Sequence, residues 1–225
     1  YLPKLVRAGY RVAICEQLEK PGKNKKVVKR GVTEMVTPGV TSDEELLDHQ
    51  KNNFLAAVYR ASADKLGVAF LDISTGEFFV CQESPGYISK LIQGFHPSEI
   101  IISRKDESYI DDFVGDEFYV YPMDDWVFTY DYGREKLLEH FEVQSLKGFG
   151  IEQLEAGQVA AGAAMHYLAT TENDQLRDIN TIQRLKTHEH VWLDRFTIRN
   201  LELLQSQQPS GVPLVQVMDH TSSPM

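Results

Sequence analysis

Cysteine is scarce in this sequence: Cys15 and Cys81 are the only two in 225 residues. A disulfide framework is therefore not expected. Both lie in apolar alternating stretches (Val12, Ile14; Phe79, Val80), where a reduced thiol packs as a small hydrophobe. Long apolar runs are missing too, none approaching the roughly 20 residues that span a bilayer. The amino terminus lacks the basic, apolar and small-residue order of a secretory signal. A cytoplasmic protein with no membrane partner is expected. No internal repeat and no low-complexity stretch occurs, which argues against solenoids and disordered linkers. A phosphate-cradling loop is also missing, because Gly22-Lys23 lacks the upstream glycine and the following hydroxyl residue of Gly-x-x-x-x-Gly-Lys-Ser/Thr. Neither ATP binding nor hydrolysis is expected of this chain.

What is present is the composition of a globular protein, 42% apolar and 25% charged, enough for one or two domains with real cores. The net charge of −10 is unevenly spread. Residues 1–41 hold nine Lys/Arg against three Asp/Glu, a balance of +6, leaving 14 against 30, or −16, for the rest. Two modules with different partners are suggested, and the acidic body is a poor host for phosphate. The chain starts at Tyr1 without methionine and stops just after an apolar segment, so both ends read as cut from something longer.

Along the chain, residues 4–8 read as the end of a helix closed by Gly9, followed by strands over 10–15 and 32–36, the second stopped by Pro38-Gly39. Residues 41–48 read as a linker or short helix. From Asn53 the pattern becomes closely spaced strands, 54–59, 66–73 and 77–81, the last two joined by a Ser74-Thr75-Gly76 turn. A helical face (Tyr87, Ile88, Leu91, Ile92) precedes strands at 99–102 and 118–121. Helices over 132–141, with Asp131 as cap, and over 154–169 close a mixed sheet flanked by helices, an α/β unit. After a polar break at 173–177 come an extended piece at 179–182 and an amphipathic helix opened by Leu193-Asp194, with Leu201 and Leu204 on one face.

Several phrases in order resemble one family: Val12-Ala13-Ile14-Cys15-Glu16-Gln17, Val36-Thr37-Pro38-Gly39, Leu71-Asp72-Ile73-Ser74-Thr75-Gly76-Glu77-Phe78, Pro97-Ser98-Glu99-Ile100, Gly148-Phe149-Gly150 and Leu193-Asp194-Arg195-Phe196-Thr197-Ile198-Arg199-Asn200-Leu201-Glu202-Leu203. Together they are similar to the MutS family of DNA mismatch-repair proteins. The resemblance implies the end of a mismatch-recognition domain over 1–41 (an α/β remnant), a ribonuclease-H-like connector over 44–175, and the beginning of a helical core over 176–225. It also implies that the full-length protein is a homodimer that binds mismatched double-stranded DNA, uses ATP and magnesium, and is met by MutL, with this piece as the non-catalytic connector. The aromatic-x-glutamate wedge of the family is absent, since no Phe-x-Glu occurs. Val40 stands where the family usually places threonine after Pro-Gly.

Three sets of residues are candidates for chemistry. Lys20, Lys23, Lys25, Lys26, Lys29 and Arg30, six basic residues in eleven, could neutralise DNA phosphates, or form a solvated loop. His188-Glu189-His190 with Asp194 could be imagined as a metal site, but the spacing is not that of a zinc-protease helix, and exposed histidines before a helix cap are expected instead. Asp72 carries the rival reading of a metal-dependent ribonuclease-H-like nuclease, which needs carboxylates from among Asp111, Asp112, Asp116, Asp124, Asp125 and Asp131 to converge on it. The alternative role for Asp72 is a strand-end aspartate that hydrogen-bonds the Ser74-Thr75-Gly76 turn. No catalytic, cofactor or metal residue is assigned in this chain.

Overall fold

The computed structural model describes residues 1–19, 28–40, 52–115, 117–171 and 179–186, together with 193, 197, 200–203, 206, 208 and 211–218. The chain divides into two compact units, residues 1–185 and 186–225.

The first unit opens with helix α1 (Leu2–Arg7), whose Pro3 suits a first turn where an amide proton is not needed. Gly9 follows at φ +84°, as its place after a helix end predicts. Strands β1 (Val12–Gln17) and β2 (Arg30–Val36) pair antiparallel as an isolated hairpin, with an irregularity between Ile14 and Cys15. Cys15 is exposed on it, contrary to the expectation of a packed thiol, because a two-stranded ribbon leaves one of its faces uncovered among the described residues. Cys81, inside the larger sheet, is buried as expected, and burial, with Glu83 adding, pushes its thiol up to about 12.

The remainder of the unit is a mixed α/β layer structure. Strands β3 (Leu55–Ser62), β4 (Lys65–Asp72) and β5 (Glu77–Glu83) form an antiparallel meander; β6 (Glu99–Ser103) and β7 (Val120–Met123) add parallel on the β3 side, and β8 (Gln183–Arg184) adds parallel to β5. The six-stranded order is β7-β6-β3-β4-β5-β8. Central β4 and β6 are buried on both faces, which is why they read as near-continuous apolar runs rather than alternating ones. Helix α2 (Pro85–Phe95) covers one face, where Phe95 stacks on Phe70 at 4.3 Å, beside α3 (Glu107–Val114). Helices α4 (Tyr130–His140) and α5 (Glu155–Thr171) cover the other over Leu55, Ala57, Ala69 and Leu71. Their close approach is a sequence property: a Cβ on Gly162 would lie 2.2 Å from the Gly133 Cα.

Four expectations shift. Helix α3 has no clear sequence signal, because it is acidic and presents Ile110 as its buried apolar residue among those described. Strand β7 runs through Pro122 instead of ending before it, which a sheet edge tolerates because only one side needs ladder hydrogen bonds. Helix α4 starts at Tyr130 with Thr129 as N-cap residue, so Asp131 sits in the first turn and does not cap it. Ile179 and Ile182 are buried anchors, and the ladder forms at the next two residues.

In the second unit, α6 (Leu214–Met218) follows a turn at Gly211, and its first amides, Leu214 and Val215, donate to the Glu202 and Leu203 carbonyls. Of the helix expected from Leu193, Thr197 and Asn200 are helical and Leu201 is exposed; Asp194 and Leu204 lie outside the described residues.

Candidate functional site: a buried polar junction

Among the described residues, a long-range polar network joins the first forty residues to one end of the six-stranded sheet. Glu99 opens β6 after Pro97-Ser98 and is 2% exposed. A buried carboxylate requires partners on both oxygens. Its Oε1 accepts from the Tyr167 hydroxyl of α5 at 2.6 Å, and its Oε2 accepts from the Gly39 amide at 3.1 Å. Burial, with the Glu99 charge beside it, raises the Tyr167 phenol above the ordinary range, so it stays protonated and donates. The Thr37 side chain reaches the same phenol.

Residues 37–40 form a tight turn closed by reciprocal Thr37 and Val40 backbone bonds, with the Val40 amide also reaching Thr37 Oγ1 at 3.2 Å. Position 39 has to be glycine, since a Cβ there would sit 2.8 Å from that of Glu99. Val40 is fully buried in the sheet's core, which suits an apolar residue at this position.

Asn53 extends the network. Its side-chain amide donates to the Pro38 carbonyl at 3.2 Å and its Oδ1 accepts from Ser98 Oγ at 2.6 Å, while its backbone amide donates to Asp72 Oδ2 at 2.9 Å. The other oxygen of Asp72 accepts from the Ser74 amide at 2.9 Å and the Ser74 hydroxyl at 2.7 Å. Asp72 thus has the turn-organising role, fully buried, with both oxygens engaged.

Among the described residues, Asp124, Asp125 and Asp131 are not brought to Asp72. Register places Asp72, after Leu71, at the Leu55–Glu99 end of the sheet. Asp125, held below its ordinary range chiefly by the Ser103 hydroxyl and then by the Lys105 amide, belongs to the far end of β6. Four residue steps at strand rise separate those ends by roughly 13 Å, against about 4 Å between ions in a two-metal site. Asp124 pairs with Arg104 at that far end, and Asp131 is exposed on α4. The Asp111 and Asp112 side chains, Asp116, His188-Glu189-His190 and Asp194 lie outside the described residues.

A cation closes the junction from the hairpin side. The Arg11 guanidinium lies 3.7 Å from the Tyr121 ring centroid and 5.3 Å from that of Tyr167, and donates to Met35 Sδ at 3.2 Å. Of the basic run, Lys29 and Arg30 are exposed at the opposite end of the hairpin, where Arg30 pairs with Gln17; Lys20, Lys23, Lys25 and Lys26 lie outside the described residues. Sequence patterns alone do not single out Arg11, Asn53, Glu99 or Tyr167. The available signals were a glutamate opening an Ile-Ile-Ile strand and a tyrosine in an alanine- and glycine-rich helix.

Two family models match this chain. Residues 1–45 match the family model described as MutS domain I, and residues 53–180 match MutS domain II. DNA mismatch repair protein MutS of Cytophaga hutchinsonii is 50% identical over all 225 residues, that of Christiangramia forsetii 51%, and that of Flavobacterium johnsoniae 49%. In each case the chain spans 26% of the relative's length. A domain II match across more than half of the chain, joined to a domain I match and full-length identity near one half, makes this chain a member of the MutS family of DNA mismatch-repair proteins.

Proposed function

We propose that this chain is the non-catalytic connector of a mismatch-repair sensor, coupling a DNA-probing module to a distant ATPase. The observation that carries this reading is the Gly39–Glu99–Tyr167 junction, which fixes the segment after the β1–β2 hairpin to the core of the sheet. Charge-assisted hydrogen bonds contribute about 1.5–3 kcal/mol each, enough to transmit a displacement rather than absorb it.

The remaining parts of the proposal follow from family membership. The connector has a ribonuclease-H-like fold, supported by the antiparallel β3-β4-β5 meander with β6 and β7 added parallel on the β3 side. Domain limits fall at 1–41, 44–175 and 176–225. The complete protein is a cytoplasmic homodimer that binds mismatched DNA, takes ATP and magnesium through domains outside this chain, and docks MutL. Lys20, Lys23, Lys25, Lys26, Lys29 and Arg30 contact the DNA backbone, supported by the projection of Lys29 and Arg30 away from the junction.

The test uses the complete protein with Glu99→Gln and Tyr167→Phe together. Hydrolysis of ATP without DNA stays near the parent rate, and its response to a mismatched duplex falls. An unchanged mismatch response in a folded double variant overturns the coupling role.

A further inference from the structure

Independently of the coupling role proposed above, we infer that Met35 is a site of reversible oxidation by hydrogen peroxide, and that the Arg11 guanidinium beside it holds the sulfoxide oxygen which this oxidation leaves.

The register of the hairpin sets the two side chains together. Met35 pairs with Ala13, and Arg11 stands two residues before Ala13, so Arg11 and Met35 are diagonal neighbours on one face of the ribbon, within reach of long side chains. Arg11 Nη2 donates to Met35 Sδ at 3.2 Å, while Arg11 Nε is buried and has no hydrogen-bond partner. The Nε proton and one Nη2 proton lie on the same edge of the guanidinium, the edge that binds an oxygen acceptor through two parallel bonds. A thioether sulfur is a weak acceptor and occupies only half of that edge. A sulfoxide oxygen is a strong acceptor, and one bond beyond Sδ it meets both donors. Stacking on Tyr121, with the guanidinium 3.7 Å from the ring centroid, fixes the plane in which the edge lies.

The sulfur is open to a small oxidant. Met35 is half-buried, and Ala13 opposite it is exposed and too short to cover it, whereas Met123 and Met165 are buried in the core of the sheet. In the reaction the thioether lone pair attacks one peroxide oxygen, and the S–O bond forms as the O–O bond breaks. Sulfur gives up two electrons, and the leaving hydroxide takes the proton of the transferred oxygen to become water. The guanidinium stays protonated throughout and only donates. A sulfoxide in an apolar contact sets a polar group there and loosens it. Here the new oxygen meets a buried donor that has no other partner, so the modification stabilises the hairpin instead of disrupting it. Enzymatic reduction restores the thioether, which makes the change reversible.

The test is peroxide treatment of the whole 225-residue chain with Cys15→Ser as parent, since that substitution removes the exposed thiol while burial keeps the Cys81 thiol protonated. Cleavage after lysine and arginine gives a peptide over 31–51 that holds Met35 and no other methionine. Mass spectrometry is expected to find Met35 converted within about tenfold of the rate of Met218, which is 69% exposed, and ahead of Met123 and Met165. Hydrogen exchange of the oxidised chain then shows β1 and β2 amide protection raised about threefold or more, and methionine sulfoxide reductase returns it to the starting value. Met35→Leu, treated in the same way, gains none. Arg11→Gln removes the cation, and Arg11→Lys keeps it without the two-donor edge and is read alone if Arg11→Gln fails to fold. In both, oxidation leaves hairpin protection unchanged or lower. Conversion of Met35 no faster than that of Met165, hairpin protection unchanged or lowered in the oxidised parent, or an equal gain in Met35→Leu or in the Arg11 variants each overturns the assignment.

Discussion

The Tyr167 hydroxyl and the Glu99 carboxylate meet at 2.6 Å although 68 residues separate them, and the bond is buried between the last long helix of the sheet unit and the first residue of β6. Removing either side chain leaves the other short of one partner in a dry site. Tyr167→Phe and Glu99→Gln are each expected to lower the unfolding free energy by about 1–3 kcal/mol in urea titrations. The double variant loses less than the sum, because the shared bond is lost only once. Strict additivity would show that the contact is not energetically coupled.

Asp72 and Asn53 give a prediction that separates turn organisation from metal chemistry. Asp72 faces three donors with two oxygens, so Asp72→Asn places an amide against a donor and costs about 1–3 kcal/mol. Thermal melts of parent and variant should be unchanged by added magnesium or manganese, and neither should cleave single-stranded, duplex or RNA–DNA hybrid substrates. A manganese-dependent rise in melting temperature that vanishes with Asp72→Asn, accompanied by strand cleavage, would identify an enzyme.

Much of the sheet is legible in the sequence, because alternation and the Ser74-Thr75-Gly76 turn are local signals. The junction is not legible, for a physical reason. Arg11, Gly39, Glu99 and Tyr167 are spread over four separate elements, and each has a bland local reading: a strand-start arginine, a turn glycine, a strand-start glutamate, a helix tyrosine. Only the register of β3 with β6 and the packing of α5 bring them together. Asp72 stands out because a ribonuclease-H-like fold can carry a metal-binding carboxylate on the first strand of the hairpin, while its hydrogen bonds to Ser74 are those of the local turn. The Lys20–Arg30 run was conspicuous in charge alone, which says nothing about geometry.

Gly162 and Gly133 test the packing of the helical layer. Gly162→Ala drives a methyl into the α4 backbone and should cost about 1–3 kcal/mol or more by overpacking. Gly86→Ala, in α2 where an added methyl meets only open space, should be neutral or stabilise by about 0.5–1 kcal/mol. Equal effects in thermal melts would contradict the close crossing.

His166 supplies a pH dependence. Its neutral ring can accept from the Tyr132 hydroxyl at 2.5 Å, with the Trp126 ring edge-on at 5.1 Å, and burial, with Lys136 nearby, lowers its pKa from the ordinary value. A lowered folded-state pKa means that the unfolded chain binds the proton first. The His166 contribution is therefore present above about pH 6.5 and is lost as pH falls through the folded value. Between pH 7.5 and 5.0 the parent should lose more melting temperature than His166→Gln, as followed by circular dichroism. Parallel pH profiles would rule the contribution out.

The buried Gly39–Glu99–Tyr167 junction fixes the hairpin module to the sheet, and hydrogen exchange in Glu99→Ala/Tyr167→Phe reads this most directly. A two-stranded ribbon is marginal by itself in water. The β1 and β2 amides are expected to lose protection in this double variant while the central β3 and β4 amides keep theirs. Hairpin protection equal to the parent's, with the sheet equally intact, would contradict it.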